Sequence, residues 1–172
     1  VTNWKALGFE QMSAREIYLI LRARSAVFVV ERSCVYLDAD GHDETALHVF
    51  AVEDMSLPMP VMAYARIQLG DSEDPEVLID RVLTSPERRG DGTAEMLMER
   101  VLQAIAERWP ACAVRVTAPV GLRAFYERFG FRKSEGPFLD HGTAFIVVTR
   151  RPRESVRHER TGLALVNTYE LL

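Results

Sequence analysis

One stretch, Val77 to Arg108, constrains the fold more than any other. It reads VLIDRVLT, then SPERRGDGTA, then EMLMERVLQAIAER. An apolar run with β-branched residues predicts a strand over Val77 to Thr84. Pro86, Gly90 and Gly92 then mark a short loop. Leu97, Val101, Leu102 and Ile105 recur at helical spacing, predicting a helix over Thr93 to Arg108 that ends at Trp109-Pro110. A strand feeding a helix through a glycine loop leaves free backbone N–H groups at the helix start. Together with the positive end of the helix dipole, they make a site for an anion.

Two familiar phosphate loops are excluded. A G-x-x-x-x-G-K-[ST] segment is absent. The G-x-G-x-x-G dinucleotide fingerprint fails because Gly90-x-Gly92 runs on to Glu95, and no acidic residue closes a βαβ unit in the required place.

The rest of the chain supplies a mixed sheet. Val1 to Leu7 reads as a first strand. Ser13 with Glu16 is a capping-box signature, predicting a helix from Ala14 to about Val30. Its apolar stripe is Ile17, Leu21, Val27 and Phe28, with Arg24 in register. Glu31 to Glu44 reads as a loop rich in turn residues. Strands are predicted over Ala46 to Glu53, Pro60 to Leu69, Ala113 to Thr117, Phe131 to Ser134 and Thr143 to Arg150. A further helix is predicted over Pro119 to Phe129, with Gly130 as its C′ residue. Strands and helices in this order predict an α/β or α+β domain with helices on the faces of the sheet.

At 172 residues, 48% of them apolar, the chain is long enough for one domain with a sizeable core. That domain is expected over residues 1–150, with 151–172 as a C-terminal extension. Arg151, Arg153, Arg157 and Arg160 make the first half of the extension basic, and it is expected to dock on the body or on a second subunit. A net charge of −4 argues against non-specific nucleic-acid binding. No apolar run reaches the length of a membrane span, and no signal-peptide core is visible. Two cysteines, Cys34 and Cys112, are too few for a disulfide framework or a zinc site. A reducing cytoplasm is the simplest setting.

Three segments carry a resemblance. Arg89-Gly90-Asp91-Gly92-Thr93-Ala94 fits Q/R-x-x-G-x-G/A. Leu122 to Phe131 fits L-x-x-F-Y-x-x-x-G-F through Phe125, Tyr126, Gly130 and Phe131. Arg24 to Asp43 fits R-x-x-V-F-V-V-E-x-x-C-x-Y-x-D-x-D-G-x-D. Together they resemble the GCN5-related N-acetyltransferase (GNAT) superfamily in its ElaA-like branch, over roughly residues 3 to 150. The resemblance implies a mixed, mostly antiparallel sheet of six to seven strands, flanked by helices and splayed between the fourth and fifth strands. It implies acyl transfer from acetyl-CoA, a co-substrate, directly to an amine of a small molecule or peptide. No metal is expected. A homodimer is expected on family grounds alone.

By the same resemblance, the amides of Arg89, Gly90, Asp91, Gly92, Thr93 and Ala94 hold the CoA pyrophosphate. Val82, Leu83 and Thr84 meet the thioester arm, a backbone N–H near Val82 and Leu83 takes the carbonyl oxygen, and Phe125 borders the cofactor. Tyr126 protonates the leaving thiolate; a phenol with a pKa of about 10 can act as a general acid near neutrality. The other reading of Tyr126 is a half-buried packing residue. Arg24, Phe28, Tyr36, Asp38 and Asp40 would lie on the acceptor side.

Glu31 and His48 are candidate proton acceptors, and His48 also reads as a structural residue at a strand start. The acidic loop around Asp38, Asp40, Asp43 and Glu44 reads either as a solvated turn or as a lure for a cationic amine. It is not an EF-hand, because Gly41 falls at loop position 4 and Val49 at position 12. Cys34 reads as an inert thiol.

Four residues depart from the ElaA-like pattern: Arg32, Asp80, Pro119 and Phe145. They keep open a CoA-binding module without efficient transfer. Arg24-x-x-x-Phe28 with the following acidic residues also resembles acyl-homoserine-lactone synthases. The missing tryptophan and the CoA-type loop count against that alternative.

Overall fold

In the computed structural model, which describes residues 2–152 apart from 72 and 74, seven strands form one sheet. They are β1 Asn3–Gly8, β2 Leu47–Val52, β3 Val61–Leu69, β4 Val77–Thr84, β5 Val114–Pro119, β6 Arg132–Asp140 and β7 Thr143–Arg150. The order across the sheet is β1-β2-β3-β4-β5-β7-β6. Every neighbouring pair is antiparallel except β4 with β5, which is parallel. The extension from residue 153 onward, and with it the docking expectation, lies outside the described residues.

Helix α1, Ala14–Arg24, starts where its cap dictates. The Ser13 hydroxyl accepts from the Glu16 amide at 3.2 Å, and the Glu16 carboxylate accepts from the Ser13 amide at 2.8 Å. Ser13→Ala is expected to cost about 1 kcal/mol in urea denaturation. The helix does not stop at Arg24 but widens into a π-helical segment over Ser25–Glu31. The buried stripe is Leu19, Ile20, Ala23, Arg24, Val27 and Phe28, while Tyr18 is exposed and Ile17 and Leu21 are half-buried. α1 packs on one face of the sheet with Phe50, Tyr64 and Leu83. Helix α2, Thr93–Arg108, packs on the other face through Leu97, Met98, Val101 and Ile105.

Two boundaries differ from those read in the sequence. The helix expected over Pro119 to Phe129 is a 3-10 turn at Val120–Leu122 followed by α3, Arg123–Glu127. Pro119 belongs to β5, where it faces Phe145 of β7. Gly130, at φ +84°, ends the helical turn as expected. The last hairpin is longer than the strand read over Phe131 to Ser134, because β6 continues to Asp140 and register shifts absorb Gly136 and Pro137 within it. The true turn is His141-Gly142, with φ +45° and +77°, the left-handed pair that a two-residue hairpin needs.

Candidate active site

The β4/β5 pair is short. Val77, Leu78 and Ile79 face Val114, Arg115 and Val116, and beyond them the strands separate. Asp80 to Thr84 stay with β3, and Thr117 to Pro119 stay with β7. A gap therefore opens between the C-terminal ends of two parallel strands.

A bulge in β4 lines this gap. Leu83 faces Tyr64 and Asp80 faces Arg66, so Ala65 is opposed by two residues, Arg81 and Val82. Arg81 sits at φ +51°, in the left-handed region. The ladder sets where the amides point. The Ser85 N–H donates to the Met62 carbonyl at 2.9 Å. By ladder alternation Leu83 also turns toward β3 and the Thr84 N–H toward the gap, and the same alternation carried one step back assigns the Val82 N–H, at the bulge, to the gap side.

The glycine loop lies at the mouth of the gap, between β4 and α2. Gly90 and Gly92 have φ of +80° and +91°, and a Cβ at either would meet nothing within 4 Å. The space beside the backbone is open. Its charges are already engaged. The Asp91 carboxylate accepts from the Thr93 N–H at 3.0 Å; the Thr93 hydroxyl first, and this N–H with it, hold its pKa below the usual carboxylate range. Arg88 pairs with Glu53 and Asp91, and Arg128 of the α3 turn pairs with Glu95. Arg89 reaches Glu31 at 2.8 Å, tying the π-helical turn to the loop. The same bond lowers the Glu31 pKa and keeps that group a carboxylate, which weakens it as a base.

Tyr126 is 3% exposed, packed edge-on against Phe125 and Phe131 with ring centroids 5.2 and 5.6 Å away. Its hydroxyl makes no hydrogen bond to a described residue. No fully buried side-chain polar atom among them lacks a partner, so this hydroxyl must reach solvent. Burial pushes its pKa up to about 12. Arg128 stacks over Phe125 from outside at 5.4 Å.

On the α1 face the charged residues form one network. Arg24 is fully buried; its Nε donates to Asp38 at 2.8 Å and its Nη1 to Asp43 at 2.5 Å. Arg66 of β3, equally buried, uses all of its nitrogens on Asp40, Asp43 and Asp80 at 2.6 to 3.0 Å. Arg81 donates to Asp38 at 2.7 Å and to Asp40 at 3.1 Å, and lies over the Tyr36 ring. Three of the four carboxylates read as a lure for a cationic amine, Asp38, Asp40 and Asp43, are thus paired with the chain's own arginines.

His48 is 1% exposed and sits within the same face. Its Nδ1 is 2.8 Å from the Tyr64 hydroxyl, and its Nε2 is 2.9 Å from the Asp43 carbonyl. A carbonyl only accepts, so Nε2 carries the proton and Tyr64 donates to Nδ1. Burial lowers the His48 pKa. Since β2 is two strands from β4, His48 stands roughly 10 Å from that strand. Phe28 is buried under the Arg32 guanidinium, 5.1 Å above its ring. Phe145 stacks on Phe138 at 6.4 Å.

The sequence reading missed Arg66, Tyr64 and the engagement of Asp80. A signal was present: Tyr64, Arg66 and Gln68 alternate along β3, giving a strand otherwise apolar a polar face. A separate cavity of about 270 Å³ lies against α1, lined by Phe9, Met12, Ile20, Arg24 and His48 among others. None of its lining residues belongs to β4, β5 or the glycine loop.

Comparison with known proteins converges on one kind of molecule. The family model described as an acetyltransferase (GNAT) domain matches residues 39–149. Protein ElaA of Escherichia coli K12 is 36% identical over 150 residues, spanning 86% of this chain and 95% of that one. The crystal structure of E. coli ElaA superposes with a TM-score of 0.81, covering 88% of this chain and all of the other. An acyl-CoA N-acyltransferase from Pseudomonas aeruginosa is 32% identical with a TM-score of 0.80, covering 87% and 99%. A CoA-dependent acyl-homoserine lactone synthase, 17% identical with a TM-score of 0.73 over 90% of this chain and 85% of that one, shares the fold.

Proposed function

The chain belongs to the acetyltransferase (GNAT) family, in its ElaA-like branch, and on that premise we propose that it moves an acyl group, acetyl in the simplest case, from CoA directly to an amine. The observation that carries this reading is the gap between β4 and β5, with a bulge on one wall and a glycine loop at its mouth. A thin thioester arm fits such a gap, and its pyrophosphate falls at the start of α2.

In this reading the amides from Arg89 to Ala94 hold the pyrophosphate. The Val82 N–H points at the thioester carbonyl and stabilises the developing oxyanion. Thr84 and Leu83 continue the wall along the pantetheine arm. The neutral amine attacks the carbonyl carbon, the carbon–sulfur bond breaks, and the Tyr126 hydroxyl donates to the departing thiolate. The amine's proton leaves through water. Glu31 is at the rim of the loop to order that water, whereas His48 lies behind Tyr64 with both nitrogens occupied. The acceptor is an amine on a small molecule or peptide, and the product is an amide plus free CoA.

Calorimetry with acetyl-CoA and amine-dependent thiol release over a broad amine panel test the reading together. Saturable binding with thiol release supports it. Absence of binding rejects it, and binding without release from any amine leaves a CoA-binding module instead. Gly92→Val is expected to weaken acetyl-CoA binding at least tenfold. Nothing in the protein blocks the new side chain; it fills the space that the pyrophosphate needs, and it strains a left-handed residue. Arg89→Ala should weaken binding less, because that guanidinium is engaged by Glu31. Finding the reverse order would show that side-chain charge, not the backbone, carries the phosphate.

A further inference from the structure

We infer that Asp38 and Arg81 are positioning residues, a clamp that holds the β4 bulge in the conformation that turns the Val82 amide into the gap. The inference rests on the acyl-transfer reading above and gives the acidic loop a role other than drawing the amine.

Arg81 has φ +51°, a region that side chains other than glycine rarely occupy. Such a conformation persists only where its surroundings over-determine it. Here they do. Arg81 Nε donates to Asp38 Oδ1 at 2.7 Å, and Nη2 donates to Asp40 at 3.1 Å and to the Asp38 carbonyl at 3.3 Å. The Tyr36 ring lies 5.5 Å beneath the guanidinium, and the Tyr36 hydroxyl donates to Asp38 Oδ1 at 3.1 Å.

The loop that grips Arg81 is itself anchored. Asp38 Oδ2 and the Asp38 carbonyl each accept from Arg24 at 2.8 Å. Asp40 is held at both oxygens by Arg66, at 2.6 and 2.7 Å. Arg24 belongs to α1 and Arg66 to β3, so the clamp is fastened to two rigid elements. Every carboxylate oxygen of Asp38 and Asp40 is thereby engaged, leaving neither loop residue a free charge to offer a cation.

The consequence for chemistry is one of register. The bulge is one extra residue. Losing it shifts Val82, Leu83 and Thr84 by one place, which reverses the edge that each amide faces. The Val82 N–H would then point at β3 instead of the thioester.

The test uses Asp38→Asn, Arg81→Gly and Arg81→Lys in the full chain. Asp38→Asn removes the charge and keeps the shape. Arg81→Gly relieves the backbone and removes the anchor. Arg81→Lys keeps the charge but not the fork. Isotope-edited infrared spectroscopy of bound acetyl-CoA, labelled at the thioester carbonyl, reads the hydrogen bond to that oxygen without any amine. The wild type is expected to lower the stretching frequency relative to free acetyl-CoA. In Asp38→Asn and Arg81→Gly the shift should shrink and kcat fall about 10- to 100-fold, with the acetyl-CoA dissociation constant and KM within about threefold of wild type. Arg81→Lys should recover part of both.

A full carbonyl shift with unchanged kcat in Arg81→Gly overturns the clamp, as does a wild type that binds acetyl-CoA with no shift at all. Loss of acetyl-CoA affinity in step with kcat also overturns it, since a general structural role would act that way. A wild type that fails to bind acetyl-CoA rejects the acyl-transfer reading, and the clamp with it. Arg81 is partly exposed, so its variants keep the test open if Asp38→Asn does not fold.

Discussion

Replacing Tyr126 with phenylalanine is expected to slow thioester turnover about a hundredfold, the low end for loss of a general acid, while acetyl-CoA affinity and melting temperature barely move. The two halves of this expectation have different causes. The hydroxyl has no hydrogen-bond partner among the described residues, so removing it orphans nothing. The ring keeps its packing against Phe125 and Phe131. The chemical half follows from the leaving group. Burial holds the Tyr126 pKa at about 12, above that of an ordinary thiol near 8.5. The phenol is therefore protonated across the working pH range. It stabilises the departing thiolate by donating a strong hydrogen bond and keeps its own proton, because the thiolate is the weaker base; the thiolate is neutralised from the solvent that takes up the amine's proton. Below pH 11 the rate should show no loss from ionisation of this group. Stopped-flow thiol release and calorimetry on the same preparation check both halves, and unchanged turnover would remove Tyr126 from the mechanism.

The largest effect on stability is expected from Arg66→Met. Asp40 and Asp80 each lose a bidentate partner, and Asp43 loses one of its two arginines. Removing one member of a buried ion network typically costs about 3–5 kcal/mol, a large share of the 5–15 kcal/mol that stabilises a domain. The single variant should be largely unfolded or insoluble at neutral pH. Adding Asp40→Asn and Asp80→Asn should restore much of the loss, because neutral groups leave no unpaired charge. A single variant within about 1 kcal/mol of wild type in urea denaturation would show the network to be loosely solvated.

The network also sets the acid limb of stability. Hydrogen bonds from Arg66 hold Asp40 well below the usual carboxylate range, and for Asp43 desolvation by burial, which would raise its pKa, is overcome by one hydrogen bond from Arg24 and one from Arg66. Groups depressed in the folded state stabilise fully above their unfolded pKa near 4 and lose that contribution as pH falls further. His48, lowered by burial, works in the same direction from higher pH. The unfolded chain takes up its proton first as pH drops through about 6.5, so stability declines from there.

Much of the frame was legible because local chemistry decides it. The Ser13–Glu16 cap, the Val77–Thr84 strand, the Thr93 start of α2 and the Gly130 terminus depend on residues a few places apart. The strand read over Phe131 to Ser134 stopped short of its true end at Asp140, because the Gly136 and Pro137 of a bulge are also the residues of a turn, and only pairing with β7 distinguishes them. The acidic loop was misjudged for a related reason. Its carboxylates are adjacent in sequence, but their counter-charges come from α1, β3 and β4. Arg66 and Arg81 are ordinary in isolation and become informative only when the sheet brings them to one face. No local pattern marks the left-handed Arg81 either, because its conformation is imposed from 43 and 41 residues away through Asp38 and Asp40.

The short β4/β5 seam has a consequence for how the empty protein behaves. Past Ile79 and Val116 the sheet has two edges in its middle, and ladder alternation leaves peptide donors there, Thr84 among them, facing no strand. Sheet edges of this kind accept any extended chain that reaches them. On the proposed reading, a pantetheine arm, with its own amides, would act there as a substitute strand and close the row. On the proposed acyl-CoA reading, occupancy by CoA is expected to lower self-association as well as serve chemistry, which light scattering of concentrated protein with and without CoA would show.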